Sequence, residues 1–98
     1  MTEDKAYNKA QKAQLALNMM SSRLEVAEFK AKAIPEYSAF KKKTGDFIKA
    51  LTAKESEMRK IYVIKAMGVD AVQQKLDECK TLLYNVSQHC ALLGKLSE

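Results

Sequence analysis

The stretch Asp70-Ala-Val-Gln-Gln-Lys-Leu-Asp-Glu-Cys-Lys-Thr-Leu-Leu-Tyr-Asn-Val-Ser-Gln-His-Cys-Ala-Leu-Leu-Gly-Lys-Leu96 decides the fold. Within it Val72, Leu76, Cys79, Leu83, Val86, Cys90 and Leu93 step 4-3-4-3-4-3 without a miss, the seam of a coiled-coil-like helix. Leu82, Leu92 and Leu96 widen that seam on one flank. Asp70 is placed to cap the start of this helix, with Gln73 three residues later completing a pair that resembles a capping box. Gly68, just before it, closes the preceding helix.

Working back along the chain, Tyr37, Phe40, Thr44, Phe47, Leu51, Met58 and Ile61 keep the same three-four spacing. This predicts a second helix from Pro35 to about residue 67. Pro35 suits a first helical turn and disfavours helix at Ile34, so the boundary falls there. Gly45 lies inside this run and costs about 1 kcal/mol relative to alanine. Phe40 and Phe47 stay on one face across it, which favours one helix with a weak point over two helices. Ile61-Tyr62-Val63-Ile64 has strand propensity but no partner run, so it is read as a helix end buried on most sides.

The first third carries two rows. Ala6, Ala10, Ala13, Leu17, Met20, Leu24, Ala27, Ala31 and Ile34 form one helical seam, and Leu15, Met19, Val26 and Phe29 recur at the same spacing on nearly the opposite side. Thr2 is placed to cap this helix, with Glu3 and Asp4 in the first turn, where the helix dipole favours acid. One partner helix cannot cover both rows. Either two helices sandwich this one, or its second row meets another molecule.

Three helices of about residues 3–33, 35–67 and 71–96 make an all-α, elongated, antiparallel three-helix bundle, a single domain over 1–98. Its size and plan resemble a spectrin-type repeat. The tryptophan usual in that family's first helix has no counterpart, since the chain contains none. The resemblance concerns architecture alone and implies no function.

Ninety-eight residues with 3 Gly and 1 Pro lack the turn chemistry of a sandwich, a barrel or a phosphate-cradling loop. A chain this short has little room for an enclosed substrate pocket, and self-association is an expected source of further burial. The acidic, lysine-bearing start is unlike a secretory or mitochondrial leader, and no run reaches the roughly 18 apolar residues of a membrane span. The expected setting is the cytoplasm, of a cell or of a virus's host.

Catalytic and metal chemistry find little support. Cys79 and Cys90, eleven residues apart on one helix, lie about 16 Å apart and cannot bridge each other. His89 and Cys90 point about 100° apart on the helix, which fits neither a zinc site nor a Cys-His nucleophile. His89 is read as a boundary residue beside Asn85 and Leu92. No enzyme, cofactor, metal, membrane or small-molecule substrate is expected. Glu28 with Lys32, and Glu55 with Arg59, are spaced as helix-stabilising ion pairs.

Charge is uneven: residues 1–34 carry six Lys/Arg and four Asp/Glu, residues 35–68 eight and four, residues 69–98 three and four. The net charge of +5 thus belongs mainly to the second helix. Two expectations follow. The leading one is a non-enzymatic interaction protein, an adaptor, inhibitor or accessory subunit, that self-associates and uses Leu15, Met19, Val26 and Phe29 as its interface. The alternative is a sequence-nonspecific nucleic-acid-binding accessory protein that uses Lys41, Lys42, Lys43, Lys49, Arg59 and Lys60, with Tyr37 and Phe40 stacking on bases. The same basic patch also suits an acidic protein partner. With 15 Lys to 2 Arg, base-specific reading is not expected.

Overall fold

The computed structural model describes residues 2–98 and contains three long helices: α1, Glu3–Ala31; α2, Lys41–Ile64; and α3, Val69–Leu96. A 3-10 turn, Pro35–Ala39, joins α1 to α2. The helices form an antiparallel bundle 48 × 18 × 16 Å across, its long axis close to the roughly 43 Å that 29 helical residues span. α1 is the helix that both others pack against, while α2 and α3 touch each other far less.

The alanine row of α1 faces inward because small side chains let two neighbouring helices approach it together. Ala6, Ala10, Leu17, Leu24 and Ala31 are buried, with Ala13, Met20 and Ala27 packed at their edge. The α3 seam is buried as its spacing predicts, from Val72 to Leu93, with Leu83 alone half-covered. Leu17, Leu24, Leu51, Met58 and Leu93 have no exposed surface, so truncating any of them to alanine removes about 3–5 kcal/mol.

Four local readings are corrected. The helix predicted from Pro35 begins as the 3-10 turn, and α2 proper starts at Lys41 after Phe40. It ends at Ile64 rather than 67, because Lys65 turns left-handed at φ 57°. Gly68, with φ −71° and ψ 162°, caps the start of α3, and Asp70 sits inside its first turn. Gln73 bonds Asp77 one turn on, at 3.0 Å, rather than closing a capping box. The tertiary cause lies in Tyr7, whose hydroxyl is 2.7 Å from the Met67 carbonyl and 3.1 Å from that of Lys65, pinning the turn at Lys65 ahead of Gly68. Finally, Ile61-Tyr62-Val63-Ile64 is not buried all round: Ile61 is in the core, whereas Val63 and Ile64 are each 64% exposed. Gly45 lies within a continuous α2.

Candidate interaction surfaces

The second row of α1 stands in the open. Leu15 is 55% exposed, Met19 73%, Val26 56% and Phe29 82%, all on the side of α1 turned away from α2 and α3. Surrounding a helix on all sides takes more neighbours than a three-helix bundle supplies, and α2 and α3 do not sandwich α1: both sit on the alanine row and leave the second row uncovered. From Leu15 to Phe29 the row runs about 21 Å along the helix.

The six basic residues of the second candidate surface do not share one face. Lys42, Lys49 and Lys60 line the outward side of α2, Lys41 and Arg59 lie toward one flank, and Lys43 lies toward the other, as a 100° rotation per residue requires. All six are exposed. Lys41, Lys42 and Lys49 come together with Ser38, Gly45 and Asp46 around one shallow hollow. Lys42 pairs with Asp46 at 3.3 Å and Arg59 with Glu55 at 4.0 Å. Lys43 sits 5.7 Å over the ring of Phe47. Glu28 and Lys32 also pair, at 3.8 Å.

The aromatics expected to stack on bases are placed otherwise. Tyr37 is buried, and its hydroxyl donates to Glu28 Oε2 at 2.6 Å. Burial, and next the carboxylate it bonds, push the Tyr37 pKa above the usual value. Phe40 packs against the core with its ring tilted over His89.

His89 is the other correction: it is a buried residue of the α2–α3 interface, 2% exposed, between Phe40 and Phe47. Thr44, one of the predicted seam positions, is buried beside it. The Thr44 hydroxyl donates to the Phe40 carbonyl at 2.9 Å, so its oxygen accepts from His89 Nε2–H at 2.6 Å. That places a proton on Nε2, while Nδ1 is buried without a partner, an enclosure that disfavours a second proton there. Desolvation, and next the charge of Lys43, hold its pKa below the usual value.

Sequence reasoning missed a charged cluster between α2 and α3. Lys54, at the seam position between Leu51 and Met58, is half-buried and donates to Glu78 Oε1 at 2.9 Å and Glu57 Oε2 at 3.3 Å. Lys75 Nζ lies 3.1 Å from Glu57 Oε1 and 3.7 Å from Glu78 Oε1. Partial burial alone lowers the Lys54 pKa, and its bonds to Glu78 and Glu57 reverse that, leaving it raised. The signal in the sequence was the skipped step from Leu51 to Met58. Also unforeseen is an apolar groove of about 370 Å³ between α1 and α3, where Ala13 and Ala16 face Leu76 and Leu83 under a rim of Lys9, Lys12 and Lys80.

Cys79 and Cys90 are free and buried, and burial pushes both thiol pKa values up. Among the described residues no group of His, Cys, Asp and Glu converges as a metal site, and no helix is long and apolar enough to cross a membrane. No family model, curated protein or solved structure matches this chain.

Proposed function

We propose that this is a non-enzymatic helical protein that acts by protein–protein interaction, as an adaptor, inhibitor or accessory subunit, through the outer face of α1, and that it self-associates. The observation that carries the reading is the continuous exposed row of Leu15, Met19, Val26 and Phe29 on a helix whose opposite row packs against the core. Scattered single apolar residues need no explanation, but a straight row at helical spacing is the form in which helices recognise one another. Replacing Met19 and Phe29 together by glutamate lowers the mass seen in light scattering and leaves helical circular dichroism unchanged. Loss of helicity, or an unchanged mass together with an unchanged set of captured partners, refutes the reading.

A second reading, nonspecific binding of nucleic acid by the basic side of α2, is favoured by the hollow that gathers Lys41, Lys42 and Lys49. With Tyr37 and Phe40 engaged inside the bundle, it rests on phosphate contacts alone. It predicts a shift of labelled oligonucleotides that weakens steeply with salt and is abolished by charge reversal at Lys42, Lys43 and Lys49. Absence of any shift at low salt removes it.

A further inference from the structure

The exposed face of α1 has a finer pattern than its four large residues, and the inference drawn from it rests on the protein-interaction reading above. Leu15, Met19, Ser22, Val26 and Phe29 step 4-3-4-3. In the heptad of a two-stranded coiled coil, Met19 and Val26 take the a positions, and Leu15, Ser22 and Phe29 take d. The core row of α1 lies on the opposite side, so α2 and α3 sit behind it and leave the seam open to a partner helix.

The flanking charges say which partner and which direction. On this register Asn18 and Glu25 fall at g, and Arg23 and Lys30 fall at e. Glu25 and Lys30 are exposed, and neither has an ion-pair partner among the described residues, although Glu28 and Lys32 on the same helix pair with each other. Five residues apart, they project about 140° from one another on opposite flanks of the seam and cannot meet within one helix. In a parallel, in-register pair, each g position faces the e position five residues on in the other helix. Glu25 then meets Lys30 of the second copy, and the twofold axis repeats the pair; Asn18 faces Arg23, whose guanidinium also donates to Ser87 of its own chain at 3.3 Å. In an antiparallel pair e positions face e and g positions face g, so Arg23 and Lys30 meet each other or their own copies and Glu25 meets Asn18 or its own copy, with no opposite charges joined.

Area agrees with charge. The fractional exposures of the four large residues correspond to roughly 500 Å² per copy, at most about 1,000 Å² in a dimer, the size of a weak, reversible interface. Ser22 at the middle of the seam lets the two helices approach closely.

We infer that the occupant of this face is a second copy of the same chain, paired in parallel through α1 from Leu15 to Phe29 and held in register by Glu25–Lys30 ion pairs between the copies.

Sedimentation velocity on the full chain tests this with Glu25→Lys, Lys30→Glu and the two combined. Each single reversal turns two attractions into two repulsions and weakens dimerisation roughly tenfold, while the combined variant returns to within about twofold of the parent. Both positions are exposed and unpaired, so helicity stays the same in all three. Val26→Cys, whose copies adjoin only in the parallel pair, forms a disulfide-linked dimer on mild oxidation, since Cys79 and Cys90 are buried. A dimer without charge rescue, or one in which neither Val26→Cys nor Met19→Cys links to its own copy, overturns the parallel register and leaves the face an interface. A monomer at about 1 mM overturns the second copy as occupant. If, in addition, the Met19/Phe29 glutamate variant captures the same partners as the parent, the interaction reading itself fails.

Discussion

Lowering the pH from 7 to 5 is the perturbation to which the buried His89 makes this bundle most sensitive. In the folded chain the ring is neutral, its Nε2–H is given to Thr44, and its Nδ1 is enclosed without an acceptor. A proton on Nδ1 therefore creates a buried cation with an unsatisfied donor, and Lys43 repels it further. The folded pKa lies below the usual 6.5, so on acidification the unfolded chain takes up this proton first. Stability is complete above pH 6.5 and falls as pH drops through the window between 6.5 and the lower folded value. Below that value both states are protonated and no further loss occurs. One proton sets the limiting slope at about 1.4 kcal/mol per pH unit. Glu78, whose pKa Lys54 lowers from 4.5, gives its own loss only at more acid pH, so the two windows separate. Urea denaturation at pH 8, 7, 6 and 5 measures the slope, and His89→Phe supplies the control. Phenylalanine keeps the contacts with Phe40 and Phe47, leaves the Thr44 hydroxyl bonded to the Phe40 carbonyl, and removes the titration. Its stability at pH 7 stays within about 1 kcal/mol of the parent, because one lost hydrogen bond is offset by one orphaned nitrogen removed. His89→Ala instead leaves a cavity and costs about 3 kcal/mol. The reasoning is refuted if the parent and His89→Phe show the same slope between pH 7 and pH 5.

Two further outcomes follow from the backbone. Gly45→Ala raises stability by about 0.5–1 kcal/mol in thermal or urea unfolding, since the position is helical and an added Cβ meets nothing within 4 Å; a loss of stability contradicts the continuous α2. Tyr7→Phe removes the hydroxyl that holds the Lys65 and Met67 carbonyls and lowers stability by about 1–2 kcal/mol, with faster amide exchange across 65–69 ahead of the bundle ends. Unchanged exchange there means that another contact sets the turn.

Much of the plan was legible in local spacing. The α3 seam from Val72 to Leu93 announced its buried face because a 4-3 step admits one helical side and no other. Thr2 is a cap by its place in the sequence, and its hydroxyl accepts from the Lys5 amide at 3.3 Å. The end of α2 is less legible, because Gly68 carries the usual mark of a helix stop and the helix ends at Ile64, with the left-handed Lys65 three residues before that glycine. A left-handed lysine is tolerated there because Tyr7, sixty residues from Met67, satisfies the carbonyls around it. Lys54 and His89 were hidden for a related reason. Each is polar at a position that periodicity treats as core or boundary, and a partner on another helix makes the placement affordable: Glu78 for Lys54, helped by Glu57 on its own helix, and Thr44 for His89.

α1 marks the division between the two kinds of information. Its sequence alone determined that the helix has two apolar rows and that a single neighbour cannot cover both. Only the tertiary structure decided which row is inside. The alanine row, being small, admits α2 and α3 side by side, and once both are seated there neither covers Leu15, Met19, Val26 and Phe29. Spacing is a property of one helix, whereas burial depends on how many neighbours fit around it.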